Sequence, residues 1–294
     1  MLELRSGRSV VTILPELGGA VGSWTRDGTE IMHPVSDPKL LALGGAAVAA
    51  YPLIPFSNRV GYGRFSFDGK DFQLDPNFGG EPHTIHGNAW MRSWRVEEHT
   101  QSTATLVLEH LPPEDPAGQW PFRYRAMLNY ALTSERLTVV MHVHNIDARR
   151  QPVGMGFHPF FPRTFDLELG FTAGGVWITG ENALPERRDP AEREWRFSPM
   201  RAPSGPPIDN CYSGWDNAAF LRWPSRNLAL SITADTLFDH LVLFTPPGKP
   251  FVAVEPATNM TDAINHPEIA DRGLSILEPD EEVTAHVTFE LSHT

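Results

Sequence analysis

Apolar and polar residues alternate along much of this chain. Val283, Ala285, Val287, Phe289 and Leu291 fall on one side of a repeat whose other side is Thr284, His286, Thr288 and Glu290. Successive side chains of a β-strand point to opposite faces of the sheet, so this period of two predicts a half-buried strand. Leu137, Val139, Met141 and Val143 repeat the pattern, and so do Ala104, Leu106 and Leu108. Shorter strands are predicted over 10–14, 124–132, 228–233, 240–244 and 251–254.

Helical signals are poor. No long stretch keeps a clean 3.6-residue period, and 27 prolines and 24 glycines break the chain every few residues. Many short strands joined by turns predict an all-β fold, a large antiparallel β-sandwich with little helix. One helical turn is expected near Pro267–Asp271, and the Pro- and Arg-rich stretch Pro185–Pro207 is expected to be a long surface loop. No linker, charge block or internal repeat interrupts the chain, so residues 1–294 are read as a single domain. Hydrophobic residues make up 41% of it, enough for a sizeable core.

Charge narrows the partners. The formal net charge is -12, which argues against nucleic acid, since phosphate binding needs clustered Lys and Arg. No apolar run reaches the roughly 18 residues of a membrane span. The stretch 40–54 is broken by Gly44, Gly45 and Pro52, and the first residues lack the apolar centre of a signal peptide. A single cysteine, Cys211, rules out an intramolecular disulfide and fits a reducing compartment. The expectation is a cytoplasmic monomer or homodimer that binds a small molecule, with no membrane partner.

Three segments carry polar groups that strand patterning does not explain. His158 is bracketed by Phe157, Pro159, Phe160 and Phe161. A histidine in such company fits a hydrogen-bonded core residue, and equally a general acid/base tuned by an apolar pocket. Glu255 follows the apolar run Phe251–Val254; it reads as a strand-end ion pair or as a general base whose burial raises its proton affinity. His83 and His86 have a metal-like spacing, but Gly79, Gly80, Pro82 and Gly87 argue against a helix there and no further ligand is nearby, so no metal and no other cofactor are expected. Asp209 and Asn210 fit turn residues or hydroxyl binding. Trp90, Trp120 and Trp215 fit a sandwich core or the C–H face of a sugar.

Taken together, the motifs resemble the aldose 1-epimerase (mutarotase) family of the galactose mutarotase-like superfamily. An early Gly-Gly segment appears as Leu17-Gly-Gly-Ala-Val21. It is followed by Pro55-Phe-Ser-Asn58-Arg59, then Ile85-His86-Gly87, then His158-Pro-Phe-Phe161, and finally Glu255 after a hydrophobic strand. Each motif is weak alone; five in order over nearly the whole chain are fairly specific. The resemblance implies a supersandwich with a sugar cleft on one sheet. It places the catalytic acid on His158, the base on Glu255 and a second histidine, His86, near the ring oxygen. Arg59 takes the place of the hydroxyl-binding arginine, with Asn58 beside it, and Asp209 and Trp90 are further expected sugar contacts. It implies interconversion of the α and β anomers of a free aldose, without cofactor.

The chain departs from the best-known galactose mutarotases at Asn88 after His86-Gly87, in the His158-Pro-Phe-Phe-Pro162 motif, and at Pro256-Ala-Thr-Asn259 after Glu255. These changes leave a hexose 6-phosphate or other anionic sugar open as substrate, with Arg59, Arg64 or Arg92 as the cation. A non-catalytic carbohydrate-binding protein on the same fold is the other alternative.

Overall fold

The computed structural model describes residues 1–36, 47–112 and 119–292. The alternating stretches are strands, with bounds close to those read from the pattern: Tyr124–Leu132 and His240–Phe244 as expected, and Arg136–Asn145, Leu228–Ala234 and Glu282–Ser292 slightly longer. Of the apolar stretch 40–54, residues 47 onward are described, and Ala50–Leu53 form a strand. Among the described residues there is no α-helix, only five single turns of 3₁₀ helix. The prolines and glycines explain this, because they keep any segment from completing the costly first turns of a helix.

Among the described residues eighteen strands join into one antiparallel network, folded as a large β-sandwich. The 15-residue strand Asp209–Trp223 makes a corner of it. Its first residues pair with His240–Phe244 and its last with Leu228–Ala234. From Leu228–Ala234 the ladder runs through Glu282–Ser292, Arg136–Asn145, Tyr124–Leu132 and Thr103–His110. In the other direction it runs through His240–Phe244, Phe251–Ala257, Gly156–Pro162 and Ala50–Leu53. Ala50–Leu53 continues through Ala20–Arg26 and Ser9–Leu14 to Leu2–Ser6, where the Arg5 N–H donates to Gln101 O at 2.7 Å and brings the two ends of the sheet together. Wrapping satisfies backbone groups that an open edge would expose. Leu106, Leu128, Met141, Phe157, Leu221, Ile232 and Phe289 belong to the core enclosed between the layers.

Two expectations need correction. Pro185–Pro207 is not a loop throughout: Pro185–Pro190 and Phe197–Arg201 are strands that pair with Glu168–Thr179. Pro185–Pro190 has no buried residue and pairs on one side only, so it carries no apolar face for a period-two reading to detect. The helical turn lies at Ala263–Asn265, not at Pro267–Asp271.

Candidate active site

Pairing within the sheet assembles the site. Gly156–Pro162 lies between Ala50–Leu53 and Phe251–Ala257, and all seven of its residues are buried. A strand covered on both faces shows a continuous apolar run, and here that run contains His158. Tyr51 pairs with His158 on one side. On the other, Gly156 pairs with Ala257 and Phe160 with Ala253, so the register sets His158 opposite Glu255. Pro159 and Pro256 each lack the N–H that a ladder bond needs, and the pairing is interrupted between those two pairs. The cross-strand neighbours fill the gap with side chains: His158 Nε2 lies 3.1 Å from Glu255 Oε1. Glu255 sits inside its strand, not at the end as the apolar run suggested.

Loops close one end of this row. Arg59 pairs with Ile85 in a two-residue ladder. Asn58 and His86 both take left-handed backbone, at φ 60° and 63°. They are tied reciprocally: His86 N–H donates to Asn58 O at 2.9 Å, and Asn58 N–H donates to His86 Nδ1 at 3.1 Å. Because Nδ1 accepts, the ring proton of neutral His86 belongs on Nε2. Gly87 follows at φ 67°, and a Cβ there would lie 2.1 Å from Ile54 O, so only glycine lets the loop pass. Asn259 secures the other strand to the same loop. Its amide donates to Ser57 O and its carbonyl accepts from Ser57 N–H, both at 3.0 Å.

The cleft has a volume of about 520 Å³. It is lined by His86, His158, Glu255, Asn58, Arg59 and Asp209 of the expected residues, and also by Tyr51, Glu81 and an apolar wall. The Arg59 guanidinium lies between two carboxylates, 3.3 Å from Asp209 and 3.6 Å from Glu81. Asn58 Oδ1 accepts from the Arg59 backbone and side chain. The Tyr51 ring stacks on His158 at 4.7 Å and meets the edge of His86 at 6.0 Å.

Burial dominates the proton affinities. It lowers His158 to about 3 and lowers His86 well below the usual histidine range, where the His158 and Arg59 charges push it further. Burial raises Glu255 well above the usual carboxylate range; Asp209 adds to the rise and Arg59 opposes it. Burial disfavours both charged forms, so it favours the pair as neutral imidazole and carboxylic acid. That partition has the same number of protons as imidazolium and carboxylate, and one transfer across the 3.1 Å contact interconverts them. Glu255 Oε2 is buried with no hydrogen-bond partner among the described residues.

Several expected residues lie elsewhere. Trp90 is fully buried, its indole N–H donates to Gly87 O at 3.2 Å, and its ring packs on Tyr51 and Phe78. It supports the cleft from behind, and its expected contact with sugar is withdrawn. Arg64 is exposed and bonded to Gln73, and Arg92 points to His110; neither lines the cleft. His83 is structural: its Nδ1 accepts from Tyr62 N–H and its Nε2 meets Asn182 O. Among the described residues no cluster of three or more His, Cys, Asp or Glu is arranged to hold a metal. Tyr51 and Glu81 were missed. Tyr51 is hidden in the apolar run 48–56 and Glu81 in a Gly/Pro-rich turn, and neither has a local signal.

Comparison with known proteins gives the family and the fold. The sequence model of the aldose 1-epimerase family matches residues 1–290. The uncharacterized Escherichia coli K12 protein YphB is 28% identical over 92% of both chains. The crystal structure of a candidate aldose 1-epimerase from Escherichia coli K12 superposes with a TM-score of 0.88 at 26% identity, covering 99% of this chain and 98% of that one. A galactose mutarotase-like protein from Clostridium acetobutylicum also has a TM-score of 0.88, at 18% identity, over 99% and 95% of the two chains.

Proposed function

The chain belongs to the aldose 1-epimerase family, and from that premise we propose that it interconverts the α and β anomers of a free aldose by acid/base ring opening and reclosure. The observation that carries this reading is the His158–Glu255 contact of 3.1 Å on the wall of the cleft. Anomer exchange requires one proton to leave the C1 hydroxyl and one to reach the ring oxygen O5, and a pair that shares one mobile proton meets both needs.

The reactive partition forms when the proton passes from Glu255 to His158. The Glu255 carboxylate then takes the proton of the C1 hydroxyl, a C1=O double bond forms, and the C1–O5 bond breaks as His158 Nε2 protonates O5. The open aldehyde turns about C1–C2. Reclosure on the other face reverses both transfers and returns the pair to its starting state, so no proton is exchanged with solvent over the cycle. His86, held neutral with its proton on Nε2, donates a hydrogen bond near O5 and stabilises the charge that gathers there. Arg59, ordered by Asn58 and flanked by Asp209 and Glu81, holds the remaining hydroxyls. These groups position a polyhydroxyl ring, and Arg59, the one cation among them, lies between the carboxylates of Asp209 and Glu81, which favours a neutral sugar.

The test is anomer-exchange NMR at equilibrium with a panel of neutral aldoses and a hexose 6-phosphate. Exchange faster than buffer is expected for at least one neutral aldose. Glu255→Gln, an uncharged isostere, should fold normally by circular dichroism and lose about 10²–10⁴-fold in rate. Unaccelerated exchange across the panel despite bound sugar, or full activity in the variant, overturns the proposal.

A further inference from the structure

Sheet register maps the cleft as a series of rows. Tyr51, His158, Glu255 and Val242 form the reacting row across four strands. Two residues along the strands, Phe160, Ala253, Phe244 and Asp209 form a second row. Two further on is Phe251, opposite Pro162. At about 3.3 Å per residue, Phe251 is about 13 Å from the reacting row. The loops of Asn58 and His86 lie at the opposite end, beside Ile54, and the row from His158 to Phe251 is longer than one pyranose ring.

The outer part differs in chemistry from the inner. Phe160, Phe244 and Phe251 line it as an aromatic wall, with the rings of Phe160 and Phe251 set edge to face at 5.1 Å. The wall leads to an open groove of about 420 Å³ at the 245–250 turn. Lys249 lines both the cleft and the groove. Arg163 lines the groove with its guanidinium pinned to Pro203 O and Pro246 O. Aromatic faces suit the C–H surface of a sugar ring, and cationic donors suit its hydroxyls.

We propose that the aromatic wall and the Lys249 groove form a second subsite, which takes a sugar ring glycosidically joined to the far side of the reacting aldose. The substrate class is then a reducing disaccharide or longer oligosaccharide whose free anomeric centre sits at His158 and Glu255. The assignment rests on the mutarotase reading for the reaction, but the binding geometry is testable without it.

The experiment compares anomer exchange of glucose and galactose with that of maltose, lactose, isomaltose and melibiose. At least one disaccharide should have a higher kcat/KM than its reducing monosaccharide. Phe251→Leu and Lys249→Ala should each lower the disaccharide-to-monosaccharide ratio, Phe251→Leu by roughly five- to tenfold as expected for loss of an aromatic face. Disaccharides no better than monosaccharides, or a ratio that neither variant moves, overturn the subsite. Saturation-transfer NMR on Glu255→Gln separates this from failure of the reaction. Saturation of the non-reducing ring supports the subsite even without catalysis, and saturation confined to the reducing ring, or none, rejects it.

Discussion

The proposed chemistry turns on how many protons His158 and Glu255 hold between them. Burial moves their affinities in opposite directions, His158 down to about 3 and Glu255 well up. Between these limits the pair keeps one mobile proton, which is the count that ring opening consumes and restores. On the acid side a second proton enters as His158 becomes imidazolium beside a still-protonated Glu255, and the base is lost. On the alkaline side Glu255 loses its proton while His158 is neutral, and the acid is lost. The rate after subtraction of the buffer reaction should therefore be flat through the weakly acidic and neutral range, where an isolated His and Glu would titrate, with its acid limb near pH 3. Polarimetry across pH checks this, and an acid limb at the ordinary histidine value near 6.5 would mean that burial does not govern the pair. At this scale the sequence was informative: an ionisable residue in an apolar run has few reasons to be there. It could not say that His158 and Glu255 face each other, because sequence separation hides a cross-strand register.

The strands and loops that hold these groups were legible to different degrees. Strands with one wet face, such as Tyr124–Leu132, declared themselves by alternation. The strands that carry His158 and Glu255, Gly156–Pro162 and Phe251–Ala257, are buried on both faces, so their identity came from motifs instead of period. Glu81 and Tyr51 escaped for the same reason, since a turn and a buried run each erase the local pattern. The loop from Pro55 to Asn58 and the turn at His86–Gly87 act as one element, joined at Ile54 and Gly87 and through the Asn58–His86 bonds. Gly87→Ala tests that unity. The new methyl would meet the Ile54 carbonyl in a left-handed backbone position, so one segment must move. A loss of about 1–3 kcal/mol in thermal unfolding is expected. A larger relative fall in kcat/KM should accompany it, because His86 moves with the turn. Unchanged kinetics in a destabilised variant would separate the turn from catalysis.

Over the whole molecule, the charge of -12 acts on any substrate that carries charge and on none that does not. Screening of this field is set by a Debye length of about 10 Å at 0.1 M salt and about 3 Å at 1 M. A neutral aldose has no charge to steer, so its kcat/KM should stay within about twofold as salt rises over that range. A hexose 6-phosphate approaches a negative surface and a cleft that carries Asp209 and Glu81, with Lys249 only at its outer end. Its kcat/KM should be low and should rise with salt as the repulsion is screened. The opposite slope, a fall with salt, would mean that Arg59 and Lys249 outweigh the global field at the point of entry. It would also identify an anionic sugar as the substrate that this cleft attracts, against the neutral reading drawn from the carboxylates beside Arg59. The sign of that slope needs only two sugars and one salt series, and it reports on long-range charge independently of any contact within the cleft.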